Sequence, residues 1–259
     1  MSRHRHKAPQ APSRPSGGGG VWLWGTHPVL AALANDQRAC RRLLATSDAL
    51  KGHPDIALYL GERQLKAETV ERGAIEAVLP HGAVHQGLAL SVEPLPDADI
   101  ADLIPLAEGR EPAVVMVLDQ VTDPHNIGAV MRSAAAFGAI ALVVTERHAP
   151  GETGTLAKSA SGALERIALV RAVNLARALD ELKEAGFWIA GLAGDAPITL
   201  AAAKLSGRVA LVLGAEGEGM RRLTRERCDL LVKLPQTDAV ESLNVSNAAA
   251  VALYELFRR

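Results

Sequence analysis

Aromatic side chains are scarce: Phe, Trp and Tyr together make up 3% of the 259 residues. The core must therefore be built mostly of Ala, Leu and Val, as in many α/β proteins. The hydrophobic fraction of 48% is enough to fill a sizeable one. Cysteine is nearly absent. Cys40 and Cys228 are the only two, far apart and in no CxxC or Cys/His cluster, which argues against a disulfide framework or a zinc site. No apolar run reaches the roughly 18 residues of a membrane span, and no signal peptide is visible, so a cytoplasmic protein is expected. An excess of either charge is also missing. The 28 basic and 29 acidic residues leave a net charge of −1, so the whole chain exerts no pull on nucleic acid, although local basic patches remain open.

What is present divides the chain. Residues 1–20 carry Arg3, Arg5, Lys7 and Arg14, no acid, and much Pro, Gly and Ser, which predicts a disordered basic tail. Such a tail is a solubilising segment or an arm for RNA phosphates. Its His4 and His6 are a weak metal signal. Residues 21–95 read as a compact α/β unit. It has strands at Val21–Trp24, Cys40–Thr46 and Gln86–Val92, a helix after His27-Pro28, and a long helical stretch broken near Gly73. Pro94 and Pro96 end it, and residues 96–112 read as a linker. Residues 113–259 alternate strand and helix, which predicts a parallel sheet with helices on both faces. Strands are expected at Ala113–Val121, Ala141–Thr145, Ile167–Val170, Phe187–Leu192, Leu211–Leu213 and Leu230–Leu234.

Three motifs lie at the expected carboxyl ends of strands, where open α/β sheets bind ligands. In NIGAVMRSAAAFG, Asn126 is placed to cap a helix, and Gly128 and Arg132 are four apart and share a face. Gly214-Ala215-Glu216-Gly217-Glu218-Gly219 follows a strand with GxxGxG spacing, not the GxGxxG of dinucleotide folds. The stretch from Leu234 through Ser242, Leu243 and Asn244 opens a last apolar helix near Ser242. A cap explains one polar residue there, but Ser246 and Asn247 gain little inside a helix. Taken singly, the first two motifs have a plain structural explanation.

Taken together and in order, DPHNIGAVMRSAAAFG, LVLGAEGEGM and KLP…ESLNVSNAAA resemble the three signature motifs of the SpoU family of RNA 2′-O-ribose methyltransferases, within the SPOUT superfamily. KSASGALE resembles a further family stretch. GTHPVLAAL and HQGLALSV are similar, less specifically, to the family's ribosomal-protein-L30-like substrate-binding domain.

The resemblance implies a SPOUT domain over 113–259 with a deep trefoil knot, an L30-like RNA-binding domain over 21–95, and a homodimer with its active site near the subunit interface. It implies S-adenosylmethionine as methyl donor, held at Gly214, Leu234 and Leu243, and Arg132, Asn126, Glu216, Ser242 and Asn244 as catalytic residues. The acceptor would be a ribose 2′-hydroxyl in RNA, with a guanosine of large-subunit (23S) rRNA ahead of a tRNA. Arg41, Arg42, Lys51, Arg63 and Lys66 are candidates for phosphate contacts. No metal is implied. A non-catalytic RNA-binding module and a dinucleotide-dependent oxidoreductase are the other function classes. The intact polar set opposes the first, and the glycine spacing opposes the second.

Overall fold

The computed structural model describes residues 20–147, 149–237, 239–240 and 242–258. The expected basic tail, apart from Gly20, lies outside them. The first unit runs β1 (Val21–Trp24), α1 (Thr26–Ala34), β2 (Cys40–Ala45), α2 (Ser47–Gly52), α3 (Asp55–Glu62), β3 (Ala67–Thr69), α4 (Arg72–Glu76) and β4 (Leu88–Val92). Its four strands order as β1-β4-β2-β3. Strand β4 is buried along its whole length and antiparallel to both β1 and β2. The region read as one long helical stretch contains β3, which pairs in parallel with β2. A three-residue strand has too little periodicity to register in sequence, and its existence depends on the partner.

The segment at 96–112 is more than a linker. A 3₁₀ turn (Ile100–Asp102) and α5 (Leu103–Ala107) occupy its middle. Leu103 is fully buried in the core of the second sheet, and Ala98 bridges Val170.

The second unit follows as β5 (Ala113–Asp119), α6 (Pro124–Phe137), β6 (Ala141–Thr145), α7 (Gly154–Ala160), β7 (Ala168–Ala172), α8 (Leu175–Glu184) and β8 (Trp188–Leu192). It continues with β9 (Ile198–Thr199), α9 (Leu200–Ala203), β10 (Arg208–Gly214), α10 (Arg222–Arg227), β11 (Leu230–Lys233) and α11 (Val245–Phe257). The strands order as β7-β6-β5-β10-β8-β11-β9 and every pair is parallel. Their alternate residues face two cores. Val114, Met116 and Leu118 of β5, with Leu211 and Leu213 of β10, pack under α6, α7 and α11. Val115, Val117, Ala210 and Val212 pack under α5 and α8. Each such buried side chain contributes about 1.5–3 kcal/mol. Trimming Leu211 or Met116 to Ala would cost about 2–5 kcal/mol.

The two units are bolted together by packing and by charge. A β-carbon on Gly154 would collide with the Trp24 ring and the Trp22 carbonyl, so glycine lets α7 approach β1 this closely. Arg38, with its side chain fully buried, pairs with Glu152 at 2.5 Å and Glu165 at 2.5 Å, and donates to the Glu93 carbonyl at 2.9 Å. Burial pushes the Glu152 carboxyl above its ordinary range, and the Arg38 charge opposes that rise. Arg63 is not free for RNA. Its guanidinium donates to the carbonyls of Leu33, Arg38 and Asn35, tying α3 to the end of α1. Arg41 and Arg42 are paired with Glu93 and Glu68, whereas Lys51 and Lys66 are exposed.

Candidate active site

The site grows from the carboxyl end of the sheet. β5 ends at Asp119, a carboxylate with no exposure. It accepts from the Arg221 backbone N–H at 2.8 Å and from Arg221 Nε at 2.8 Å. Taking a carboxylate out of water is costly unless such partners replace its hydration. The pair fixes the chain two residues beyond the glycine loop to the end of the neighbouring strand.

After β5 the chain turns into α6. Asp123 caps this helix, accepting from His125 N–H at 3.0 Å, and Pro124 occupies its first turn. Asn126 is therefore not the cap expected from sequence. Asp123-Pro124 supplies a better start, since Pro lacks the N–H that would go unpaired there. Released from capping, the Asn126 side chain faces the last helix. Asn244 Nδ2 donates to Asn126 Oδ1 at 3.1 Å and to Glu216 Oε1 at 2.6 Å. Glu216 Oε1 also accepts from the Val245 N–H at 3.1 Å. The three motifs thus meet in one hydrogen-bonded cluster. Among the described residues, the Asn126 Nδ2 amide has no protein partner and is available to a ligand oxygen.

Asn244 carries a second duty. Its Oδ1 accepts from Ser246 N–H at 2.9 Å and Asn247 N–H at 3.4 Å, so it is the N-cap of α11. The helix accordingly begins at Val245, three residues later than Ser242. Ser246 is also accounted for: its hydroxyl donates to Asn244 Oδ1 at 2.5 Å.

The glycine loop closes over the end of β10. Ala215 bridges Gly219, and a β-carbon at Gly214 would run into the backbone of Gly219 and Met220. Gly217 and Gly219 adopt φ of 77° and 69°, the left-handed region where a side chain is strained. Beside this loop lies a cavity of about 390 Å³ at the ends of β8, β10 and β11. Gly214, Glu216, Leu234, Ser242 and Leu243 all line it. That volume falls within the roughly 300–1,000 Å³ of small-molecule pockets. Asp195 on its rim is held below the usual carboxylate range by hydrogen bonds from Arg225 at 3.0 and 2.8 Å.

Arg132 stands apart. It is exposed on α6, does not line the cavity, and has no hydrogen bond or ion pair among the described residues. Six residues after Asn126, it lies about 9 Å further along the helix. Gly128 packs against Leu156, Ser159 and Ala160 of α7, with no room for a β-carbon. Of the eight residues singled out from sequence, seven surround one pocket and its polar rim, and Arg132 projects into solvent.

Sequence reasoning missed Asp119 and Arg221, whose pairing spans 102 positions. An acid ending a buried strand was the available signal. The thiols have no part in the site. Burial raises the Cys40 thiol and pushes Cys228 up to about 11, so neither is a ready nucleophile. Among the described residues no group of His, Cys, Asp and Glu could hold a metal ion.

Comparison with known proteins finds relatives for both units. The SpoU rRNA Methylase family model matches residues 113–254. The model for RNA 2′-O ribose methyltransferase substrate binding matches residues 22–98. The chain is 42% identical over 241 residues to the 23S rRNA (guanosine-2′-O-)-methyltransferase RlmB of Photobacterium profundum, covering 92% of this chain and 97% of that one. It is 52% identical over 176 residues to the RlmB of Nitrosomonas europaea, covering 68% of this chain and 67% of the relative. Among solved structures it resembles the SpoU methyltransferase AviRb of Streptomyces viridochromogenes in complex with AdoMet. The TM-score is 0.76 at 26% identity, covering 93% of this chain and 90% of that one.

Proposed function

Because the chain belongs to the SpoU rRNA methylase family, we propose that it transfers a methyl group from S-adenosylmethionine to the ribose 2′-oxygen of a guanosine in large-subunit (23S) rRNA. The observation that carries this reading is the Asn126–Asn244–Glu216 cluster on the rim of the cavity at the strand ends. It places fixed amides beside a pocket of cofactor size.

The pocket suits the donor. Leu234 and Leu243 offer apolar surface for an adenine, and the tight Gly214 turn presents backbone rather than side chain. When bound there, S-adenosylmethionine supplies a methyl group carried on a sulfonium. The chain's own residues have the task of aligning the acceptor. Asn126 directs its free amide at the ribose or its phosphate. Glu216, its Oε1 occupied by Asn244 and Val245, holds that amide pair in place. Ser242 is exposed at the pocket mouth, within reach of the ribose edge. Arg132 carries a guanidinium, whose planar fork suits a phosphate. Its role is to bind the adjacent phosphate and stabilise negative charge developing at the 2′-oxygen.

The rest of the reading concerns architecture. Residues 21–95 select the RNA, 96–112 connect, and 113–259 carry the reaction. The trefoil knot belongs to this reading. Its support is that, after β11, the chain returns past β10 to set α11 against α6. A homodimer is supported by α11, where Asn247, Val251 and Tyr254 form one exposed face. A second copy there would bring further groups toward the exposed Arg132. Ribosomal RNA as substrate places the enzyme in the cytoplasm, and among the described residues no helix is long and apolar enough to cross a membrane.

The deciding experiment is transfer of labelled methyl from S-adenosylmethionine to unmodified 23S rRNA and to tRNA transcripts, with the modified nucleotide mapped. Label on a guanosine 2′-oxygen of the 23S transcript is expected. Label on tRNA alone would overturn the rRNA assignment, and no label on either would overturn the activity.

A further inference from the structure

The seam between the two units contains a cation that the proposed chemistry does not use. Lys158, near the end of α7, is half-buried. Its Nζ donates at 2.9 Å to Gln86 Oε1, a neutral amide oxygen and its only hydrogen-bond partner among the described residues. Other cations at the seam are neutralised: the fully buried Arg38 by Glu152 and Glu165, and Arg171 by Asp97. Burial pushes the Lys158 amine below its ordinary range, and no carboxylate opposes this.

Gln86 is itself held with care. Its backbone is left-handed, with φ 54°, and its Oε1 also accepts from Thr26 N–H at 3.2 Å. Gly25 leaves room for the lysine, since a β-carbon there would strike Lys158 Nζ. On one side of this pair, Gln86 lines a cleft of about 640 Å³ at the ends of β2 and β3, together with Ser47, Asp48, Thr69, Glu71 and Arg72. On the other side, Ser159 Oγ lies 3.1 Å from His125 Nδ1, and the next residue is Asn126. Lys158 and Ser159 are thus neighbours on α7, one bonded to the substrate-binding unit and the other to the start of the helix that carries Asn126.

Resting on the RNA reading above, we infer that Lys158 is a phosphate-contact residue for the RNA strand flanking the acceptor nucleotide. Gln86 holds it in place, and the strand runs over the seam into the β2–β3 cleft. A lysine satisfied only by a neutral amide oxygen gains from a phosphate beside it, because the anion adds a Coulombic attraction that the amide lacks. Asp48 and Glu71 suit the donor edge of a base in the cleft. The competing account is that Lys158–Gln86 is merely a domain-joining bond.

Binding of an in vitro transcript of 23S rRNA, measured across a salt series, separates the two. Phosphate contacts are sequence-independent, so the salt slope reports them even off the true target. Lys158→Gln should weaken binding roughly tenfold and flatten the salt slope by about one. S-adenosylmethionine affinity and Tm should stay at wild-type values, and Lys158→Arg should restore both RNA readouts. Gln86→Glu is the sharper variant, because it gives Lys158 a carboxylate. It should keep or raise Tm while lowering RNA affinity, whereas a domain-joining bond would be strengthened with no loss of RNA binding. An unchanged slope in Lys158→Gln, or wild-type RNA affinity in Gln86→Glu, overturns the inference alone. Wild-type protein that fails to bind the transcript overturns the RNA reading itself. If Lys158→Gln does not fold, Gln86→Glu and Lys158→Arg decide.

Discussion

Asn244 Nδ2 donates to Asn126 Oδ1 across 118 positions of sequence, so the last helix of the chain fixes a side chain on the first helix of the same sheet. Asn244 also caps its own helix, and two substitutions separate the duties. Asn244→Ser keeps a good cap and loses the amide donor, so Tm should stay near wild type while methyl transfer falls at least tenfold. Asn244→Ala loses both, adding about 1 kcal/mol of destabilisation. Thermal melts and initial rates with RNA check this. Full activity in Asn244→Ser would remove the cluster from the mechanism.

Arg132 has no partner to lose among the described residues, so its replacement reads function with little structural noise. Arg132→Ala should abolish methyl transfer and leave S-adenosylmethionine binding and Tm unaltered, as calorimetry would show. Arg132→Lys keeps the charge without the planar fork. Near-normal turnover in the lysine variant would mean that simple charge suffices.

Gly214→Ala forces a β-carbon into the backbone of Gly219 and Met220. The loop must open, and the dissociation constant for S-adenosylmethionine should rise more than tenfold. Gly217→Ala meets no atom within 4 Å but inherits a φ of 77°. Its cost is conformational, about 1–2 kcal/mol. Calorimetric titration of both variants tests whether close approach or backbone freedom matters more at this loop.

Sheet and site were legible to different depths. The buried strands Ala113–Asp119 and Ala141–Thr145 announce themselves by unbroken apolar runs, and Gly214 by ending such a run. Strands β3 and β9, three and two residues long, could not be seen, because their partners create them. Asn126 has the local sequence signature of a cap; Asp123-Pro124 outcompetes it, and its real partner is the residue that caps α11. Arg63 looked like any surface arginine. Its three carbonyl acceptors converge only after α1 and α3 have packed.

Arg221→Ala should loosen the glycine loop from β5. It leaves Asp119 buried with a single backbone donor, a loss of about 2 kcal/mol for a pair exposed on one side. The Michaelis constant for S-adenosylmethionine should rise more than kcat falls, because the loop and not the acceptor cluster is disturbed. Equal effects on both would place Arg221 elsewhere in the reaction.

Glu152 gives the junction a pH signature. Its carboxyl is raised in the folded protein. Its protonation therefore contributes stability that is fully present below the ordinary carboxylate range and is lost as pH rises through the folded value. Glu152→Gln should flatten that part of a Tm-against-pH profile. Arg38→Met removes the opposing charge, so the loss should extend to higher pH, on top of about 3–5 kcal/mol for stranding buried acids. An unchanged profile in Glu152→Gln would exclude this group as the source.

The same junction has a geometric consequence. Arg38 sits in a dry socket made by both units, and Trp24 rests on a glycine of the neighbouring helix. Hinging the units apart would strand one cation and two anions. The span between the surface that grips the RNA and the point of reaction is therefore constant. If residues 21–95 grip the RNA as proposed, the enzyme would act as a gauge, modifying whichever ribose a folded RNA presents at that fixed span from the gripped element. Lengthening the intervening RNA stem by one base pair should shift or abolish modification rather than be absorbed by the protein.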